Sequence, residues 1–225
     1  MSLVGLNIGT HDSLSAKTRR YADYYRQLAA GTIKEVYDDE TVRLFPCFRQ
    51  EPLERATFTK CTVINSAGLY DCQQLASVDF PELISTGPYA FYRTKKLKSV
   101  FLPKVADLGV SAFYLSGVET VELPSCVTLR DSGFLGCTNL KEIKIPVCKT
   151  IFVKAFSDCS ALEKIFLNGV TAVPTLGTDV FTGTPETLKI IVPDALVDSF
   201  KTATNWSTYA GKIIGVSEYE ATQVQ

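Results

Sequence analysis

One interval constrains what this chain can fold into. An aliphatic residue recurs at Leu53, Leu75, Leu97, Val118, Leu140, Leu162 and Leu188, at spacings of 22, 22, 21, 22, 22 and 26 residues. Chance does not hold register over six intervals. A period of this length marks a solenoid, in which each unit buries its apolar side chains only by stacking on its neighbours.

The unit reads Leu-x-x-Val-x-Leu-Pro-x-apolar, then a variable stretch, then a small residue and Phe. Leu97, Val100, Leu102, Pro103, Val105, Ala112 and Phe113 form one copy; Leu140, Ile143, Ile145, Pro146, Cys148, Ala155 and Phe156 form another. Val-x-Leu alternates with polar residues, as a short strand does. The following proline ends each strand, because it has no N–H for a ladder. A degenerate copy runs from Leu53 to Leu69, and the fifth carries a three-residue insertion before Phe181. Lys189-Ile190-Ile191-Val192-Pro193 reads as a last, shortened strand. With strands about 4.8 Å apart, seven or so turns make a body roughly 30 Å long.

These residues resemble the BspA-like subgroup of leucine-rich repeat proteins. That subgroup pairs a Leu-x-x-Ile-x-Leu-Pro strand with an Ala-Phe and a Cys-x-x-Leu, seen here as Ala155-Phe156 with Cys159-Ser160-Ala161-Leu162 and as Gly133-Phe134 with Cys137-Thr138-Asn139-Leu140. The resemblance covers about residues 41 to 219. It implies a mainly β, right-handed leucine-rich-repeat solenoid acting as a non-enzymatic scaffold for binding or adhesion. Such repeats occur on bacterial surfaces and in phage-encoded proteins.

The expected organisation is an N-terminal cap or attachment segment over 1–40, the solenoid over 41–193, and a C-terminal helical cap and tail over 194–225. Asp12 or Ser13 is placed to cap a helix from Leu14 to Leu28, closed by Gly31. Thr32–Tyr37 and Thr41–Phe45 then read as a hairpin around Asp38-Asp39-Glu40. Open solenoid ends need polar-faced caps, and the alternative makes 1–40 a dock onto a larger assembly through Arg19, Arg20 and the tyrosines. At the other end, Asp194 is expected to cap a helix burying Leu196, Val197 and Phe200. Asn205 is expected to cap a second, burying Trp206, Tyr209 and Ile213.

Composition excludes several chemistries. With 23 basic against 24 acidic residues, no global field favours nucleic acid or an anionic membrane. No window approaches 18 uninterrupted apolar residues, so membrane insertion is not expected. The opening MSLVGLNIGTHDSLSAKTRRYADYY has no basic and apolar secretory pattern, so a surface location rests on the resemblance and a virion is an alternative. One histidine disfavours histidine-based catalysis and metal sites. His11-Asp12-Ser13 is no triad, since consecutive side chains cannot converge as a triad requires. No enzymatic activity, cofactor or metal is expected.

Seven cysteines fall on repeat positions. Cys61, Cys126 and Cys148 sit two residues after the proline position; Cys72, Cys137 and Cys159 sit three after the Phe position; Cys47 sits where other units have Ala or Gly. They read as buried thiols in small core slots. Disulfides pairing Cys126 with Cys148, or Cys137 with Cys159, are the alternative; parallel side chains on stacked strands seldom reach the needed torsion.

If the repeat's apolar positions face inward, the residue between Val and Leu faces outward. That column is Thr57, Asp79, Phe101, Glu122, Lys144 and Phe166; its neighbour is Arg55, Ser77, Ser99, Thr120, Glu142 and Lys164. Glu122 with Lys144, and Glu142 with Lys164, are placed to pair across strands. The face is either solvated surface or a contact for a protein or glycan partner. The second reading rests on Phe101 and Phe166 as exposed aromatics, with Asp79, Glu122, Lys144, Glu142 and Lys164 around them. The leading functional expectation is recognition or adhesion at a bacterial surface. The alternative is a phage structural or host-recognition protein.

Overall fold

The computed structural model describes residues 6–7, 35–38, 43–44 and 53–224. In chain order the strands are β1 (Leu6–Asn7), β2 (Glu35–Asp38), β3 (Arg43–Leu44), β4 (Arg55–Phe58), β5 (Val63–Ile64), β6 (Ser77–Asp79), β7 (Ser85–Thr86), β8 (Ser99–Phe101), β9 (Asp107–Leu108), β10 (Thr120–Glu122), β11 (Thr128–Leu129), β12 (Glu142–Lys144), β13 (Thr150–Ile151), β14 (Lys164–Phe166), β15 (Thr175–Leu176), β16 (Lys189–Val192) and β17 (Ile213–Gly215). They form a parallel β-solenoid. Each repeat unit contributes its Val-x-Leu strand to one side and a two-residue strand to the next.

The Val-x-Leu side carries two sheets, β1-β2-β4-β6 and β8-β10-β12-β14-β16-β17; the short strands form a seven-stranded sheet from β3 to β15. Repeat positions align residue for residue, with Val121 beside Val100 and Ile143. Among the described residues no ladder joins β6 to β8, although β7 and β9 remain paired through Ser85 and Asp107.

Proline does more than end the strands. Cys126 N–H donates to the Leu123 carbonyl at 3.1 Å, and Cys148 N–H to the Ile145 carbonyl at 3.2 Å. Pro124 and Pro146 therefore sit at the second position of a tight turn, where a fixed φ favours the corner. Among the described residues the third side has no regular strand, yet it is also bonded turn to turn. Phe91, Phe113 and Phe134 donate their N–H groups to Ala112, Gly133 and Ala155 at 2.7–2.8 Å.

The interior is one continuous core. The repeat phenylalanines Phe91, Phe113, Phe134, Phe156 and Phe181 stack with centroids 4.6, 5.1, 5.6 and 5.7 Å apart and planes within 9° of parallel. All five are buried, and burying such a ring is worth about 1.5–3 kcal/mol. Trp206 meets Phe181 at 6.1 Å and Phe200 at 4.9 Å, which closes the column.

Both ends depart from expectation. The described strands Glu35–Asp38 and Arg43–Leu44 do not pair with each other as a hairpin. β2 pairs in parallel with β1 and β4, and β3 pairs with β5, so the two strands are opposite sides of one more turn. Period-2 alternation around a polar turn cannot distinguish a hairpin from a solenoid corner. The helix expected over Leu14–Leu28, and Cys47, lie outside the described residues.

At the C-terminus α1 (Val197–Thr202) buries Phe200, and a 3-10 segment spans Ser207–Lys212. Leu196 and Val197 are only half-buried. Lys189–Val192 is not the last strand: β17 follows it in the ladder, and α2 (Val216–Ala221) follows β17. Asp194 does not cap its own helix. Its carboxylate accepts from Ser217 N–H at 3.1 Å and from the Ser217 hydroxyl at 2.7 Å, so it caps α2. A Cβ on Gly215 would collide with that carboxylate. Asn205 caps no helix either. It adopts φ +65° and donates its amide to the Leu176 carbonyl at the edge of β15.

Candidate functional site

The outward columns lie in the register the repeat predicts. Phe101, Glu122, Lys144 and Phe166 are ladder neighbours on β8, β10, β12 and β14, as are Ser99, Thr120, Glu142 and Lys164. Thr57 and Asp79 align on β4 and β6, and the missing ladder separates them from the rest.

Most charge on this face is internally matched. The Lys144 ammonium lies 2.6 Å from the Glu122 carboxylate and 3.6 Å from Glu142, and Lys164 lies 3.6 Å from Glu142. Both expected cross-strand pairs are present. Donation to Glu122 holds the Lys144 ammonium above its ordinary range, against the opposing effect of partial burial. One column further out, Glu119 bridges Lys98 at 3.0 Å and Lys141 at 3.1 Å. Hydrogen bonds from Lys98, then Lys141, hold its carboxyl below the usual carboxylate range. This row, Lys98, Glu119, Lys141 and Glu163, lies one column beyond the two outward columns expected from the repeat, and its sign alternates from turn to turn. Such surface pairs contribute about 0–1 kcal/mol each. They set the pattern of the face more than its stability.

The two aromatics differ. Phe101 is 59% exposed, at the margin of the six-stranded sheet. Phe166 is half-buried, because Tyr219 of α2 meets its ring edge to face at 5.4 Å. The expectation of two open aromatics fails for Phe166, since β17 and α2 were not legible in the sequence. Asp79 is exposed, while Glu122, Lys144, Glu142 and Lys164 are partly covered by one another.

Cys126, Cys137, Cys148 and Cys159 are buried free thiols, with neither alternative disulfide formed. Burial pushes the Cys137 thiol up to about 12 and the Cys148 thiol up to about 11, and it also raises Cys126 and Cys159. They are poor nucleophiles. Among the described residues no three His, Cys, Asp or Glu side chains are grouped to hold a metal ion, and no helix is long and apolar enough to cross a membrane.

A solenoid of 22-residue turns, a Leu-x-x-Val-x-Leu-Pro strand and an interior Ala-Phe column are thus in place. A model of the BspA type leucine-rich repeat region matches six copies over residues 46–163 and 84–206. The chain belongs to this family. This BspA-type repeat protein is similar in fold to a T. pallidum leucine-rich repeat protein, at 22% identity and a TM-score of 0.59, covering 81% of this chain and 79% of that one. It is also similar to a leucine-rich repeat protein from Eubacterium ventriosum, at 20% identity and a TM-score of 0.51, covering 84% of this chain and 60% of that one. No curated protein matches it.

Proposed function

We propose that this protein is a non-enzymatic recognition module whose Val-x-Leu face contacts a protein or glycan partner, in adhesion at a bacterial surface. The observation that carries this reading is Phe101, a large aromatic 59% exposed on a ladder-held strand. An open aromatic on a rigid face is a ready contact anchor. Ser99 and Thr120, whose hydroxyls lie 3.0 Å apart beside it, offer polar groups for orientation. The surrounding ion pairs fix side chains that would otherwise lose entropy on binding. Residues 1–40 act here as a cap, a role supported by the entry of β1 and β2 into the ladder.

The test compares wild type with Phe101→Ser on a glycan array and on intact bacterial and epithelial cells. Lys154→Ser, on the third side, serves as control. Loss of about 1.4–2.8 kcal/mol, or roughly ten- to a hundredfold in affinity for the partner, is expected for Phe101→Ser at an unchanged denaturation midpoint. Equal retention by the two variants would remove Phe101 from the site.

A further inference from the structure

The outward column changes character at its C-terminal end. After Lys144 it reads Phe166, Ile191 and Ile214, three apolar side chains side by side on β14, β16 and β17. Ile191 and Ile214 are only 1% and 7% exposed, yet neither joins the interior core. They are covered from outside, where α2 packs on β16 and β17 and Tyr219 meets Phe166.

The cover is slight. α2 has six residues, none fully buried, and is anchored by Tyr219 and by Asp194 at Ser217. A helix this short has no stability of its own in water. Beside it runs a groove of about 410 Å³ lined by Lys164, Lys189 and Ile214 on the sheet and by Glu218 and Tyr219 on the helix. Glu218 and Glu220 flank the tyrosine in sequence, and Glu218 shares the groove lining with these two lysines.

We propose that Phe166, Ile191 and Ile214 form a docking seat for a short acidic helical peptide of a partner protein with a central aromatic residue. α2 is the resident occupant, which that peptide displaces. The seat's chemistry is read from what fills it: an aromatic edge on Phe166, an aliphatic floor, and the Glu218 carboxylate lining the same groove as Lys164 and Lys189. This goes beyond the recognition surface proposed above and does not require Phe101 to take part. Tethering gives α2 an effective concentration in the millimolar range, so an external copy competes poorly with the intact strap.

The test uses the full chain and a fluorescein-labelled peptide of residues 215–224, followed by anisotropy. Tyr219→Ser in the chain removes the resident anchor. This variant is expected to bind the peptide at least tenfold more tightly than wild type. The gain is expected to vanish when the peptide carries Tyr219→Ser, or when Phe166→Ser is added to the chain. Equal binding by wild type and Tyr219→Ser, or binding indifferent to Phe166→Ser, overturns the proposal. Hydrogen exchange on wild type decides if Tyr219→Ser does not fold. A strap that opens locally exchanges its 216–221 amides faster than those of β16; exchange of both only on global unfolding overturns the proposal.

Discussion

At the residue scale, the cysteines illustrate what a repeat hides. Placed on the period they look like one class, thiols in small core slots. The structure separates two. One column holds Cys61, Leu83, Val105, Cys126, Cys148 and Val170, where the slot accepts aliphatic residues. Its thiols also donate, Cys61, Cys126 and Cys148 each reaching a carbonyl two residues on at 3.4 Å, but other turns fill the slot without any donor. The other column holds Cys72, Thr94, Ser116, Cys137, Cys159 and Thr184, where every turn keeps a side chain able to donate. Thr94 and Thr184 hydroxyls reach the Phe91 and Phe181 carbonyls at 2.9 and 2.8 Å, while the Cys137 and Cys159 thiols reach Phe113 and Phe134 at 2.9 and 3.1 Å. Aligning the copies by residue type shows this restriction to Cys, Ser and Thr, but only the bond to the buried carbonyl explains it. An unmet buried polar group costs about 1–3 kcal/mol. Cys137→Ser is therefore expected to lie within about 1 kcal/mol of wild type, with Cys137→Val lower by about 2 kcal/mol. At Cys126 the order reverses, Val being tolerated and Ser not. Urea unfolding of the four variants checks this; one shared order at both sites would refute the division.

At the element scale, the strands and corners were legible because each is dictated by the unit that repeats. The end structures were not, because each is made once. Asp194 precedes a helix and looks like its cap, yet it reaches across to α2 because Gly215 leaves room for its carboxylate. The insertion after β14 is visible as extra residues, but its anchor is distant. Trp206 donates its indole N–H to the Pro174 carbonyl at 2.7 Å, and so ties the inserted loop to the end of the Phe column. Trp206→Phe keeps much of the ring and loses that buried bond, leaving the carbonyl unmet. It is expected to destabilise by about 1–3 kcal/mol. Faster hydrogen exchange is expected around 171–176, with amides of β8 to β10 unaffected. Uniform acceleration along the chain would show that the cap is not a local unit.

At the whole-molecule scale, stability is the sum of each turn and its interfaces with two neighbours. Deleting residues 118–139, one full turn, joins Gly117 to Leu140 and brings Phe113 into the stacking position beside Phe156. The shortened chain is expected to keep its β circular dichroism, with a smaller urea m-value because less surface is exposed on unfolding. Deleting 118–128 shifts every column by half a turn and is expected to abolish folding. If both shortened chains fold equally well, stacking in register is not what holds the molecule. The rows Lys98–Glu119–Lys141 and Glu122–Lys144–Glu142–Lys164 have a further consequence for encounter kinetics. Charges neutralised at contact distance project little field beyond the Debye length, about 8 Å at physiological salt. A partner approaching the middle of the face is not steered, so it arrives at the unassisted rate of about 10⁵–10⁶ M⁻¹s⁻¹, largely indifferent to salt. What distinguishes one partner from another there is how long it stays.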